Sequence, residues 1–372
     1  MRVGIVGCGL IGKRRAAIVE DSPEDELVIV ADIDGACADG LANASGCCST
    51  IDYRDVVSRD DIDAVVVATT NKFLMPVTVA ALRKGKHVLC EKPLGRDLVE
   101  AQQMVEAARI ANRVLKVGFN HRYHPALLKA HDLCSQGALG SLYFIRAMYG
   151  HGGRPGYDRE WRGDPDLAGG GEMLDQGIHV IDLCLWFLGK FTRAYATVST
   201  YFWDLGYFDG GTGDGPGSTD GDRASTGRRL EDNAFALLHT EDGCIAQFHT
   251  SWTQWKNRFR FEIFGHSGYL IVEGLGGSYG VERLTLGKRQ PQSGPPEETT
   301  WEFPGPDRSW ELEWKDFTTA IHQGRQPLGN ADDGLEAMIV VDALYGSARI
   351  GTEVRIPGES FCPALTMSGC PA

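Results

Sequence analysis

With 372 residues, a net charge of −13 and a sequence pI near 5.3, the chain has the length of two domains, and its acidity argues against nucleic acid or an anionic membrane as partner. No apolar run reaches a membrane span, and the opening MRVGIVGC is too short to supply both regions of a signal peptide. The 10 cysteines are scattered without C-x-x-C spacing, which points to free thiols in a reducing cytoplasm, and the adjacent pair Cys47-Cys48 lacks the spacing of a redox or metal site.

Val3 to Val6 reads as a buried strand, and Gly7-Cys8-Gly9-Leu10-Ile11-Gly12 separates it from a helix running from Lys13 to Glu20. The first glycine permits a tight turn, the second admits a pyrophosphate and the third lets helix pack on strand. The next strand, Leu27 to Ala31, ends at Asp32, where an acid would bind a ribose 2'-hydroxyl and repel a 2'-phosphate, favouring NAD over NADP. Lys13-Arg14-Arg15 is the counter-signal, although cations in a first helical turn commonly face solvent. Strands at Ala64 to Ala68 and Val88 to Cys90 alternate with helices at Pro76 to Lys84 and Leu98 to Ala111, and Leu115 to Gly118 closes the series. Residues 1–120 therefore read as an α/β Rossmann domain, a doubly wound parallel sheet.

After Asn120 the texture changes. Helices at Pro125 to Ser135 and Leu174 to Leu188 are mixed with strand-like runs at Leu142 to Tyr149, Arg193 to Trp203, Asn233 to His239, Ile245 to Trp252, Phe259 to Phe264 and Tyr269 to Val272. Consecutive strands with few helices between them predict a mainly antiparallel sheet, so residues 121–356 form a second, α+β domain. Residues 204–232 are dense in Gly, Asp, Ser and Thr and read as a mobile insertion; its Asp-Gly pairs lack the order and closing glutamate of a calcium loop. Residues 290–297 form a second polar loop, and 357–372 read as a frayed tail.

Two stretches carry chemistry. Lys92 follows the apolar run Val88-Leu89-Cys90 and is fixed between Glu91 and Pro93, which disfavours helix and sends the amine from a stiff segment outside the carboxyl end of a parallel strand, where ligands gather. Further on, Asp175, His179 and Asp182 are spaced four and three apart after Gly169-Gly170-Gly171, so one helix face would carry all three. A helix-terminal acid beside a satisfied histidine is the plainer reading of that spacing. A zinc site from His179, Asp175 and His121 or His124 lacks any H-E-x-x-H or clustered-cysteine support, so no metal is expected.

The ordered set GCGLIG, GKHVLCEKP, GFNHRYHPA, EWRGDPDLAGGG and D-x-x-x-H resembles the glucose-fructose oxidoreductase, inositol dehydrogenase and rhizopine-catabolism family of NAD(P)-dependent oxidoreductases over nearly the whole chain. The resemblance implies an open-faced sheet after the Rossmann domain, a sugar or cyclitol bound between the two, and self-association through that sheet as a homodimer or homotetramer. It makes Lys92 the catalytic lysine, Asp175 and His179 the acid and imidazole, and Glu91, Arg122, Trp161 and Arg162 cleft residues. Gly7, Gly9, Leu10, Ile11, Gly12, Asp32, Thr69 and Asn71 would complete the NAD site. Where relatives often read T-P-N-x-x-H, this chain has Thr69-Thr70-Asn71-Lys72-Phe73-Leu74, keeping the asparagine but replacing the proline and the histidine.

Alcohol oxidation needs a donor for the oxygen and a base for its proton, roles that suit Lys92 and His179, with Asp175 either orienting His179 or holding a neighbouring hydroxyl. Arg122 and Tyr157 join them as substrate contacts, and Trp252, Trp255 and Tyr157 are aromatic enough to stack on a sugar or to pack elsewhere. A glycoside-cleaving enzyme of the same fold, cycling NAD without net reduction, and a cofactor-sensing regulator remain the competing classes.

Overall fold

The computed structural model describes residues 1–153, 160–201 and 230–357; Tyr157, most of the 204–232 insertion and nearly all of the tail lie outside them. The first unit runs β1 (Arg2–Val6), α1 (Leu10–Glu20), β2 (Glu26–Ala31), α2 (Gly35–Ser45), β3 (Cys48–Thr50), α3 (Tyr53–Val57), β4 (Ala64–Val67), α4 (Asn71–Arg83), β5 (His87–Cys90), α5 (Leu98–Ala111) and β6 (Leu115–Val117). Its six strands are all parallel, in the order β3-β2-β1-β4-β5-β6. Val65, Val66, Val67, Val88 and Leu89 are wholly buried because helices cover both faces. The strand order reverses between β1 and β4, the crevice in which such sheets bind ligands.

A 3-10 turn at Asn120–Tyr123 leads into α6 (Pro125–Ser135) and β7 (Leu142–Gly150). A second 3-10 turn (Trp161–Gly163) precedes α7 (Pro165–Ala168), α8 (Glu172–Asp175) and α9 (Gly177–Leu188). Then come β8 (Phe191–Ser199), β9 (Asn233–Thr240), β10 (Ile245–Ser251), β11 (Arg258–Gly265), β12 (Gly268–Glu273), β13 (Glu282–Lys288), β14 (Glu297–Phe303), α10 (Ser309–Gln323), α11 (Ala331–Ile350) and β15 (Val354–Arg355). The strands make one sheet, β14-β13-β12-β11-β7-β10-β9-β8-β15, antiparallel except where β10 pairs with β7. Helices cover one face. On the other, Tyr195 and Phe235 are exposed.

Two departures from the sequence reading bear on the site. The expected helix over 174–188 is broken at Gln176, so Asp175 ends α8 while His179 lies in the first turn of α9. The C-terminal helices, unread in the sequence, return to the first unit: Trp314 and Phe317 of α10 join the core of Val3, Ile5, Val30 and Val66, and α11, started by an Asn330/Asp333 capping box, packs on α5 and α9. No helix among the described residues is long and apolar enough to cross a membrane.

Candidate functional site

The glycine turn between β1 and α1 is shaped for a phosphate. Gly7 has φ +100°, and a Cβ there would lie 2.4 Å from the Ala68 carbonyl oxygen; one on Gly12 would lie 1.8 Å from that of Gly7. A Cβ on Gly9 would meet nothing within 4 Å, so its face opens onto free space. No side chain caps α1, which leaves the first-turn amides of Leu10, Ile11 and Gly12 available to an anion. Asp32 stands beside them, its carboxylate accepting from the amides of Cys8 at 2.7 Å and Asp34 at 2.9 Å. Leu10, Ile33 and Ile51, which follow β1, β2 and β3 at this end of the sheet, are 80%, 87% and 67% exposed, an apolar rim suited to a flat base. These residues fit a dinucleotide.

At the end of β5, adjacent residues diverge. Glu91 turns inward, where its Oε1 accepts from Arg15 Nε at 2.8 Å and Nη2 at 2.5 Å. Arg15 Nη1 lies 2.7 Å from Glu313 Oε2, and Lys116 Nζ 3.4 Å from Glu313 Oε1, giving two cations and two anions in the interior. Gly118 makes room for this set, since a Cβ there would lie 2.7 Å from Glu91 Oε2. Lys92 turns instead to the second unit and donates to Asp175 twice, to Oδ1 and to the backbone oxygen, each at 2.7 Å. An ammonium has three protons, so one remains for a ligand oxygen.

Arg162 Nε donates to the other Asp175 oxygen at 3.2 Å. Burial alone would lift the Asp175 carboxyl, but Lys92 and Arg162 overcome it and hold it well below the usual carboxylate range. Glu172, on the same short helix and wholly buried, shifts the other way: burial, Asp175 and Glu231 push it well above that range. His179 is buried with Nδ1 unpartnered, and its ring stacks on His121 with centroids 4.0 Å apart. Burial, followed by the Lys92 ammonium and the neighbouring His124, pushes it well below the ordinary imidazole value.

The structure thus brings Lys92, Asp175, Arg162 and His179 together at the junction of the two units. Trp161 lies beside them, its ring 4.4 Å from the Arg162 guanidinium. Two residues expected at the cleft are committed elsewhere. Glu91 is held by Arg15. Arg122 is 3% exposed and grips Asp182 through Nε at 2.9 Å and Nη2 at 2.6 Å, with Asp333 at 3.3 Å, because a charge that deep needs opposite charges around it. Asp182 is therefore a partner of Arg122 and not a third member of the Asp175 face.

Asn71 bridges the units, donating to the Ala168 oxygen at 2.8 Å, and Thr69 sits in the turn over Gly7. The glycine triplet is a set of close approaches: a Cβ on Gly169 would lie 2.6 Å from Arg96 Cβ, on Gly170 2.5 Å from the Tyr345 hydroxyl, and on Gly171 2.2 Å from the Glu231 oxygen. Trp252 is buried in the core, whereas Trp255 is 68% exposed; Tyr157 lies outside the described residues. Of the zinc candidates, Asp175 is bound to Lys92 and His124 Nδ1 lies 3.1 Å from Glu282, while His121 and His179 stack on each other.

Comparison with known proteins agrees with this geometry. Residues 1–119 match the model described as an oxidoreductase family with an NAD-binding Rossmann fold, and residues 127–271 match the GFO/IDH/MocA C-terminal domain. Levoglucosan dehydrogenase of Pseudarthrobacter phenanthrenivorans is 27% identical over 96% of this chain and 98% of its own length. Inositol 2-dehydrogenase of Rubrobacter xylanophilus is 26% identical over 95% and 92%, and an NADP(+) D-xylose 1-dehydrogenase of Haloferax volcanii 25% over 96% and 100%. Among solved structures, a levoglucosan dehydrogenase in complex with NADH and L-sorbose superposes with a TM-score of 0.82 at 25% identity, covering 96% of this chain and 99% of that one. With both domains matched in order around a nucleotide-binding crevice, the chain belongs to the glucose-fructose oxidoreductase, inositol dehydrogenase and rhizopine-catabolism family of NAD-binding oxidoreductases.

Proposed function

We propose that this protein is an NAD-dependent dehydrogenase that oxidises a secondary alcohol of a sugar, cyclitol or sugar derivative and reduces the corresponding ketone in reverse. The observation that carries the reading is the Lys92–Asp175 pair at the junction of the two units, with His179 beside it. Bound at the glycine turn, the nicotinamide cofactor supplies the hydride acceptor. Gly7, Gly9, Leu10, Ile11 and Gly12 hold its pyrophosphate, Asp32 its ribose, and Thr69, Asn71, Trp161 and Arg162 the wall toward the second unit. Lys92 donates its remaining proton to the substrate oxygen and steadies alkoxide character where water is excluded. His179 accepts the hydroxyl proton through Nε2, and Asp175 keeps Lys92 in place and accepts from a neighbouring hydroxyl.

Asp32 supports NAD over NADP, because no cation pairs with it among the described residues to receive a 2'-phosphate. The open sheet face, with Tyr195 and Phe235 exposed, supports self-association as a homodimer or homotetramer, and the free thiols support a cytoplasmic setting. The test is a panel of sugars, inositols and nucleotide sugars with either cofactor, followed by NADH absorbance. Net reduction of NAD in preference to NADP is expected. Substrate consumption without net NADH would replace the dehydrogenase with an oxidation, elimination and reduction cycle, and a preference for NADP would overturn the role of Asp32.

A further inference from the structure

His179 has no carboxylate hydrogen-bonded to it among the described residues, although a histidine base usually needs a group behind it to hold its ring and accept its charge. What lies behind it is another imidazole. His121 is 5% exposed and meets His179 face to face, centroids 4.0 Å and planes 28° apart. Tyr149 at 5.1 Å, Phe259 at 5.8 Å and His124 at 5.5 Å wedge His121, so the stack has little room to slide.

Hydrogen bonds also fix its tautomer. Asn120 Nδ2 donates to the Ser309 hydroxyl at 2.9 Å, which turns Asn120 Oδ1 toward His121 Nδ1, 3.3 Å away. Nδ1 therefore carries the proton, and Nε2, buried without a partner, does not. The result is a neutral ring that offers its π face to His179. The charged and titratable groups acting on the pair are Lys92 from the end of β5 and His124, itself held by Glu282; Tyr149 from β7 meets both rings and is in turn faced by Tyr279 and by Glu172 and Asp175 of α8.

We propose that His121 is a positioning residue for the dehydrogenase: its ring fixes the plane of His179 and stabilises the imidazolium formed when His179 takes the substrate's hydroxyl proton. The inference rests on His179 being the base. The step balances, since the hydroxyl proton passes to His179, the carbon's hydride passes to the nicotinamide, and a carbonyl remains. A π face favours a cation over a neutral ring, so the stack raises the proton affinity of His179 against the burial that lowers it.

The experiment measures kcat/KM against pH, with thermal midpoints, for the wild type, His121→Leu, His121→Met, His121→Phe and His179→Asn. Without a π face, the Leu and Met variants should move the acidic limb to lower pH by about half to one unit and lower kcat by about tenfold. His121→Phe restores a face and should return the limb to its wild-type position. A merely structural role would move the thermal midpoint and leave the limb in place. The proposal is overturned if His121→Leu and His121→Met keep the wild-type limb while His179→Asn loses it, or if His121→Phe shifts as far as they do. An acidic limb that survives in His179→Asn would show the base reading itself to be wrong, and this inference with it.

Discussion

Glu91 and Lys92 adjoin in sequence, yet Glu91 closes a set of four buried charges with Arg15, Glu313 and Lys116, whereas Lys92 keeps 18% of its side chain open where the two units meet. The inner group joins α1, whose N-terminus faces the phosphate site, to the strand end that carries Lys92 and to α10 from the far end of the chain. The outer group joins Lys92 to Asp175 across the junction. Two charged residues in one short motif thus divide the work: one fixes the backbone, and the other is left with a free donor for a substrate.

The comparison breaks most directly at Lys92. Lys92→Ala removes the donor to the substrate oxygen, and loss of such a donor lowers kcat by roughly 10²- to 10³-fold. Binding of NAD, measured by fluorescence titration, should stay nearly intact, because the glycine turn and Asp32 do not touch Lys92. Turnover within a few-fold of wild type would remove Lys92 from catalysis.

The inner group answers differently. Glu91→Ala leaves Arg15 with Glu313 alone, one excess buried cation, and should cost roughly 3–5 kcal/mol of stability by urea unfolding. Combining it with Arg15→Met deletes both members and leaves the neutral Lys116–Glu313 pair, so the double variant should be more stable than Glu91→Ala. If the two substitutions simply add, the pair is not coupled and Glu91 is free to serve the cleft.

Much of this division could be read from the sequence, and the unread part has physical causes. The glycine turn, Asp32, the lysine at a strand end and the acid and imidazole beyond the glycine triplet are local patterns, and local chemistry places them. The partner of Glu91 is not local. Arg15 appeared to be one of three first-turn cations, yet Gly12, Arg15, Ala16 and Val19 recur at helical spacing and form the buried face of α1, a signal present in the sequence. The pairing of Arg122 with Asp182 and Asp333 is likewise not local, since Asp333 comes from α11. The sequence marks His121 only as a candidate metal ligand, because no periodicity announces a stack between a turn and a helix 58 residues later.

The smallest effect is expected where the two units are clasped beside the site. Asn71 reaches across to the Ala168 oxygen, and both residues are buried, 5% and 2% exposed, so Asn71→Ala leaves an acceptor without a partner and should cost roughly 1–3 kcal/mol. Its neighbour Lys72 makes an ion pair with Asp166 across the same junction, but 37% and 67% of those side chains are exposed, and water and salt screen the pair. Hydrogen exchange separates the two. Amides of residues 166–169 should lose protection in Asn71→Ala at any ionic strength, while Lys72→Ala should leave protection unchanged at physiological salt. Equal losses would mean that charge, and not the buried amide, holds the clasp, and the contrast between inner and outer contacts would not extend beyond Glu91 and Lys92.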